Sequence, residues 1–236
     1  VKGQARLGNA LQVEACEFAH WNGLPGEWPS HQDKPYAFKA YALKDVVDHY
    51  YHDLLLWADS SILPIRSLEP LWERIERDGY WFSRNGWNNY EWTADSAYPD
   101  LFPSEGWGRT DLIEALQPLP HARTLNRTIP HVVATTFGIN VRHPKGRAFL
   151  DEYYRLASET RAFCGPWINS NQPGIIANPP HCSPCGPAGV RGHRHDQTAA
   201  SVIAWRLGFE LTDPPNIFAY KGGETADTIL VADGGY

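Results

Sequence analysis

The 236-residue chain is marked first by what it lacks. No apolar run approaches the roughly 20 residues of a membrane span, and the amino terminus has no signal-like character. The 21 Lys and Arg are scattered among 27 Asp and Glu for a net charge of −6. No basic run is present, which argues against a nucleic-acid groove as the main partner and means that any anionic ligand must be held locally. Four cysteines over this length do not make a disulfide framework, and a reducing, cytoplasmic setting is the expectation. The one sequon, Asn126-Arg127-Thr128, is weak contrary evidence. There is no internal repeat and no Gly-rich phosphate loop of either standard kind. Methionine is absent throughout, position 1 included, which leads to the expectation of a processed or truncated chain.

What is present is aromatic. Ten tryptophans and eleven tyrosines are a high count, and rings with one polar edge either fill a core or stack on sugars and bases. The length suits one α/β domain spanning 1–236.

The most informative stretch is His52-Asp53-Leu54-Leu55-Leu56-Trp57-Ala58-Asp59-Ser60-Ser61. A short apolar run with polar punctuation reads as a strand over 53–58 buried on both faces, central in a parallel sheet. Ligands gather at the carboxyl ends of such strands, where Asp59 and Ser61 stand. Asp59 as a plain turn residue is the competing reading.

Around it, 5–19 reads as an amphipathic helix through Leu7, Leu11, Ala15 and Phe18, and 35–50 reads as a helix carrying Lys39. Ser67 caps a helix ended by Gly79, and 80–83 reads as the next strand. This strand-helix-strand alternation predicts a mostly parallel sheet flanked by helices. The segment 84–108 reads as a long functional loop, the β-branched 132–141 as a strand pair or a bent strand, and Pro144 as the start of the longest helix, to about Phe163. Asp196 caps a helix over 197–207, and 228–231 is a last short strand.

Lys39, the run ending in Asp59-x-Ser61, and the later His195-Asp196-Gln197 opening a helix form one pattern. On these residues, over roughly 35–210, the chain resembles nucleotide-sugar glycosyltransferases of the GT-A fold. In that superfamily a buried strand ends in Asp-x-Asp and a downstream Asp-Gln opens a helix at the active site. The resemblance implies a GT-A-like, Rossmann-like single domain whose first strand would lie upstream of Val1. It implies a glycosyltransferase of the hexosyltransferase class, moving a sugar from a nucleotide-diphosphate donor to an acceptor hydroxyl on a carbohydrate or glycoconjugate. Mn²⁺ or Mg²⁺ would be held by Asp59 and Ser61, the donor by Lys39, Asp59, Ser61 and Gln197, and the catalytic carboxylate would be Asp196, with Asp95 and Glu91 in reserve. Ser61 departs from the pattern, since a hydroxyl replaces the second aspartate and is the weaker ligand for a hard cation. Arg66 and Arg84 are further candidates for phosphate contact.

Two other readings stand beside this one. A non-catalytic carbohydrate- or nucleotide-binding domain on the same fold accords with Ser61. The cluster His181-Cys182-x-x-Cys185 with His193-x-His195 has donor types suited to zinc, but its spacing is cramped. A loop with free thiols is the preferred account of it, and a Cys182–Cys185 disulfide is a further alternative.

Overall fold

The computed structural model describes residues 28–31, 33–50, 52–103, 126–165 and 189–233, together with the backbone of 2–6 and 12–16. The amino-terminal segment is not the helix expected over 5–19. Strands β1 (Lys2–Arg6) and β2 (Gln12–Cys16) pair antiparallel, with Lys2 opposite Cys16. Helical spacing of four apolar residues was the signal there, and the alternation of Val13, Ala15 with Gln12, Glu14 is the one that prevails.

Helix α1 (Phe38–Tyr50) leads into β3 (Leu54–Ala58), as the apolar run predicts. A turn at Asp59–Ser61 gives β4 (Ile62–Pro64), and α2 (Glu69–Asp78) follows. Gly79 ends α2 with φ +86° and donates its N–H to the Ile75 carbonyl, a left-handed cap that suits glycine. β5 (Tyr80–Asn88) runs well into the expected loop and passes into a 3₁₀ turn, Asn89–Trp92, closed by a capping box between Asn88 and Glu91. After the short α3 (Tyr98–Leu101) come the long β6 (Pro130–Asn140), α4 (Pro144–Glu159), α5 (His195–Arg206), β7 (Phe218–Tyr220) and β8 (Leu230–Ala232).

The strand order overturns the expected GT-A-like architecture. One sheet is β3-β6-β5 and the other is β4-β8-β7. β6 runs antiparallel to both neighbours, with Leu55 opposite Ile139 and Phe82 opposite Phe137, and β4 is antiparallel to β8. Apart from the isolated Ser83–Thr212 bridge, only β7 and β8 pair in parallel among the described strands. Among the described residues there is no central parallel sheet flanked by helices, so the fold is a small mixed α/β arrangement and not a Rossmann-like one. The physical reason is insertion. β3 and β5 do point the same way across α2, but β6 lies between them and takes the hydrogen bonds of both. Strand-helix-strand alternation reports chain order and is silent about which strand fills the gap.

β3 is accordingly an edge strand, and β6 is the centre. Leu55, Phe82, Phe137 and Ile139 enter one core with α1, α4 and α5, while Trp81 and, across the register shift between Phe82 and Arg84 that breaks the period-two alternation of β6, Val133 enter a second with Leu71 and Ile75 of α2 and with Phe218 and Leu230 of the small sheet. Burial of both faces, which suggested parallel pairing, is supplied here to an antiparallel sheet by helices on one side and α2 with the small sheet on the other. Asn126 of the sequon is buried and accepts from Asn89 Nδ2 at 2.9 Å, which leaves it no room for a glycan.

Packing at the start of α4 is close. A Cβ on Gly146 would stand 2.1 Å from the Asn140 carbonyl oxygen and 2.6 Å from that of Gly79, both backbone atoms. Gly146→Ala is therefore expected to destabilise the chain by about 1–3 kcal/mol through overpacking, read as a lower denaturant midpoint. An unchanged midpoint would mean that α4 does not sit this close to the β6 end.

Candidate functional site

The site is built on the amino-terminal half of β6. Asp59 N–H donates to the Thr135 carbonyl at 2.8 Å, Lys39 Nζ donates to that of Ala134 at 2.9 Å, and Gln197 Nε2 donates to that of Val132. Three residues from distant parts of the sequence are thus measured out along one short stretch of strand.

Lys39 is the hub. Its ammonium lies 3.2 Å from Asp59 Oδ1 and 3.0 Å from Asp196 Oδ2, and the residue is 2% exposed. The rings of Tyr36 and Trp57 have centroids 5.3 and 5.6 Å from Nζ, completing a cage of two carboxylates, one carbonyl and two aromatic faces. The snorkelling surface lysine that this helix could have carried is not what forms. Trp57 Nε1 donates to Asp59 Oδ1 at 2.6 Å, a role for the tryptophan that the apolar run did not reveal.

Charge in this cluster is unequal, with one ammonium facing two carboxylates. Burial pulls Lys39 toward losing its proton, but Asp196 and Asp59 outweigh it, and the ammonium is held above the ordinary lysine range. Burial pushes the Asp196 carboxyl up, with Lys39 opposing. We take Lys39 as charged and Asp196 as the carboxyl of the pair nearer to accepting a proton. Asp196 is 4% exposed, whereas the Asp59 side chain is 26% exposed and forms the open side of the cluster.

Two non-glycine residues in the left-handed region flank the cluster. Tyr36 has φ +61° and His195 φ +45°, and their rings are 6.0 Å apart. Such conformations cost of order 1–3 kcal/mol and gather at functional sites. One immediately precedes Asp196 and the other stands three residues before Lys39. Asp196 is not the cap of its helix, since α5 begins at His195 with Arg194 at the cap position.

Ser61 lies in the turn after Asp59, and its carbonyl accepts from Asp233 N–H at 2.8 Å. Arg66 binds the Thr228 carbonyl, Arg84 pairs with Asp213 at 3.1 Å, and Glu91 serves the 3₁₀ capping box and Arg191. Asp95 is exposed in the turn after that 3₁₀ segment. His181, Cys182 and Cys185 lie outside the described residues. His193 Nδ1 accepts from Ala94 N–H at 3.4 Å and its Nε2 donates to the Ala162 carbonyl at 2.8 Å, so both ring nitrogens are engaged without a metal. His195 Nδ1 donates to the Phe163 carbonyl at 2.9 Å. Burial lowers His193 to about 4 and His195 to about 3, so both are neutral at pH 7.

A divalent cation would find one suitable anchor. Among the described residues no group of three or more His, Cys, Asp or Glu is gathered for a metal. Hard cations such as Mg²⁺ are nonetheless held through one or two carboxylates, with substrate phosphates and water completing the shell. Asp59, half-buried at a turn beside an excess of negative charge, fits that role.

A second group gathers around Arg194 at the cap position of α5 and includes two tryptophans of the segment expected to be a loop. The Arg194 guanidinium carbon is 4.2 Å from the Trp87 ring centroid and 4.4 Å from that of Trp92. Trp87 is 36% exposed. His131 of β6, 6.4 Å from Trp87 between ring centroids, is fully buried, and neither ring nitrogen has a hydrogen-bond partner among the described residues. Burial, with Arg194 and His193 nearby, holds it well below the usual histidine range, hence neutral.

No family model, no curated protein and no solved structure matches this chain.

Proposed function

We propose that this chain is a glycosyltransferase acting on a nucleotide-diphosphate sugar. The observation that carries the reading is the bridge from Lys39 to both Asp59 and Asp196, which gathers the three residues of the sequence pattern into one cluster. The fold lends no support, because fold-level analogy is withdrawn with the parallel sheet, and the site argues by itself.

In this reading Asp196 is the carboxylate facing the sugar, taking the acceptor proton or stabilising the anomeric carbon. Lys39 holds it in place and Gln197 fixes the first turn of α5 to β6. Asp59 faces the donor phosphates, and the charge of the departing diphosphate is what a divalent cation at Asp59 would neutralise. A second reading, a non-catalytic carbohydrate- or nucleotide-binding domain, is favoured by the depth of Lys39 and Asp196.

Incubation with a panel of nucleotide sugars, with and without Mn²⁺, followed by measurement of free nucleotide, separates the two. Release that rises with an acceptor supports transfer, and binding without release supports the second reading. Asp59→Ala is expected to weaken nucleotide binding in Mn²⁺ at least tenfold by calorimetry while the melting temperature moves only a few degrees, since Lys39 keeps Asp196. Unchanged affinity removes Asp59 from the donor site.

A further inference from the structure

We propose that Trp87, Arg194 and His131 form a saccharide-binding subsite that receives a pyranose ring of the acceptor beside Asp196. The word acceptor rests on the transferase reading above, and the binding of a sugar ring does not.

Three independent features point to it. Trp87 presents a large ring at the end of β5 with about a third of its surface open, and an indole face is suited to the apolar face of a pyranose. Arg194 stacks on that ring and on Trp92, which fixes the platform against the start of α5. His131 beside it is the decisive feature. A buried polar group without a partner is costly, and native structures retain few of them without a reason. Nothing among the described residues satisfies either nitrogen. A neutral imidazole offers one donor and one acceptor, the complement of a hydroxyl group, which both gives and takes a hydrogen bond.

Position ties this group to the reactive cluster. Arg194 stands two residues before Asp196, its backbone N–H is bound to the Trp92 carbonyl at 3.2 Å, and its Nη1 is 3.5 Å from Gln197 Oε1. Thr198 Oγ1 donates to the same Trp92 carbonyl at 2.6 Å. The 3₁₀ turn carrying Trp92 is therefore clamped to the first turn of α5, where Asp196 is. A ring resting on Trp87 would stand along the same helix start as the carboxylate that, in the proposed function, receives its hydroxyl proton.

The test needs no nucleotide. Methyl glycosides of glucose, galactose, mannose and N-acetylglucosamine, with maltose and cellobiose, are titrated against the whole chain by saturation-transfer NMR and tryptophan fluorescence. At least one is expected to bind saturably. Trp87→Ala should weaken it at least tenfold, and His131→Phe about tenfold while the melting temperature holds or rises, because a phenyl ring leaves no buried polar atom unmet. That pairing of weaker binding with undiminished stability is one that a purely structural histidine would not produce. Should Trp87→Ala fold poorly, His131→Phe decides. No saturable binding by any of the panel, or equal affinity in His131→Phe, overturns the subsite. Sugar binding with no turnover of any nucleotide sugar would keep the subsite and remove the transferase reading. Turnover whose acceptor KM is untouched by both substitutions would do the reverse.

Discussion

Lys39→Met is expected to produce the largest loss of stability of any single substitution at the site. The methionine keeps most of the apolar stem and removes the one cation that faces Asp59 and Asp196. Breaking a buried ion pair by deleting one partner typically costs about 3–5 kcal/mol, because the other charge is left buried and unmatched. At about 2–4 °C per kcal/mol for chains of this size, the melting temperature should fall by about 6–20 °C. The loss should depend on pH in a definite direction. Asp196 is already held above the ordinary carboxylate range by burial. A folded state that binds its proton more tightly than the unfolded chain loses stability as pH rises through the window from the unfolded to the folded pKa. Without Lys39 that window extends upward, so Lys39→Met should recover stability on acidification where the parent gains less. The groups facing Asp196 are Lys39, Asp59 and Tyr153, and of these only Lys39 is cationic at neutral pH. Adding Asp196→Asn to Lys39→Met should restore most of the loss, since Asp59 is partly open to water. A Lys39→Met variant that melts within a few degrees of the parent would mean that the bridge does not form.

The sequence is legible here for elements and much less so for their arrangement. The runs ending at Asp59, Gly79 and Asn140 announce their strands and helix because each ends in residues with a local physical role: a polar turn, a left-handed cap, a break in β-branching. What pairs with what is a long-range matter, and Leu54-Leu55-Leu56 reads the same in a parallel centre and at an antiparallel edge. β6 shows the difficulty best. It looked like one more strand of the alternation, yet it orders the sheet and also supplies the carbonyls that seat Lys39, Asp59 and Gln197. Those contacts are to backbone, which carries no sequence signal. Lys39, Asp59 and Asp196 could be singled out by residue type and place, whereas Trp57 looked like core, Trp87 was one of many residues in a segment read as a functional loop, and Arg194 and His131 gave no pattern. An unsatisfied imidazole becomes visible only when its surroundings are known.

Asp196→Asn is expected to have the largest effect on activity and little on stability. Capping is not at stake, because Asp196 lies inside α5 after Arg194 and His195. The carboxylate is instead one of two that share Lys39, so removing its charge leaves Lys39 and Asp59 as a balanced pair. Asparagine is nearly the same size and keeps an oxygen that can accept from Lys39 Nζ and from Gln197 N–H, so the melting temperature should hold or rise slightly. The same change removes the basic lone pair from the carboxyl that burial has already moved toward proton uptake. General acid–base assistance is typically worth about 10²–10⁴ in rate, and sugar transfer should fall by that factor while nucleotide affinity persists through Asp59. His195 provides the control. Its Nδ1 is committed to the Phe163 carbonyl, and burial lowers it to about 3, which makes it a poor base at neutral pH. His195→Gln should therefore cost far less activity than Asp196→Asn. If instead Asp196→Asn keeps near-parental turnover with a donor and acceptor that the parent uses, the buried carboxylate is a partner for Lys39 and nothing more, and the reactive base must be sought on the open side of the cluster, at Asp59.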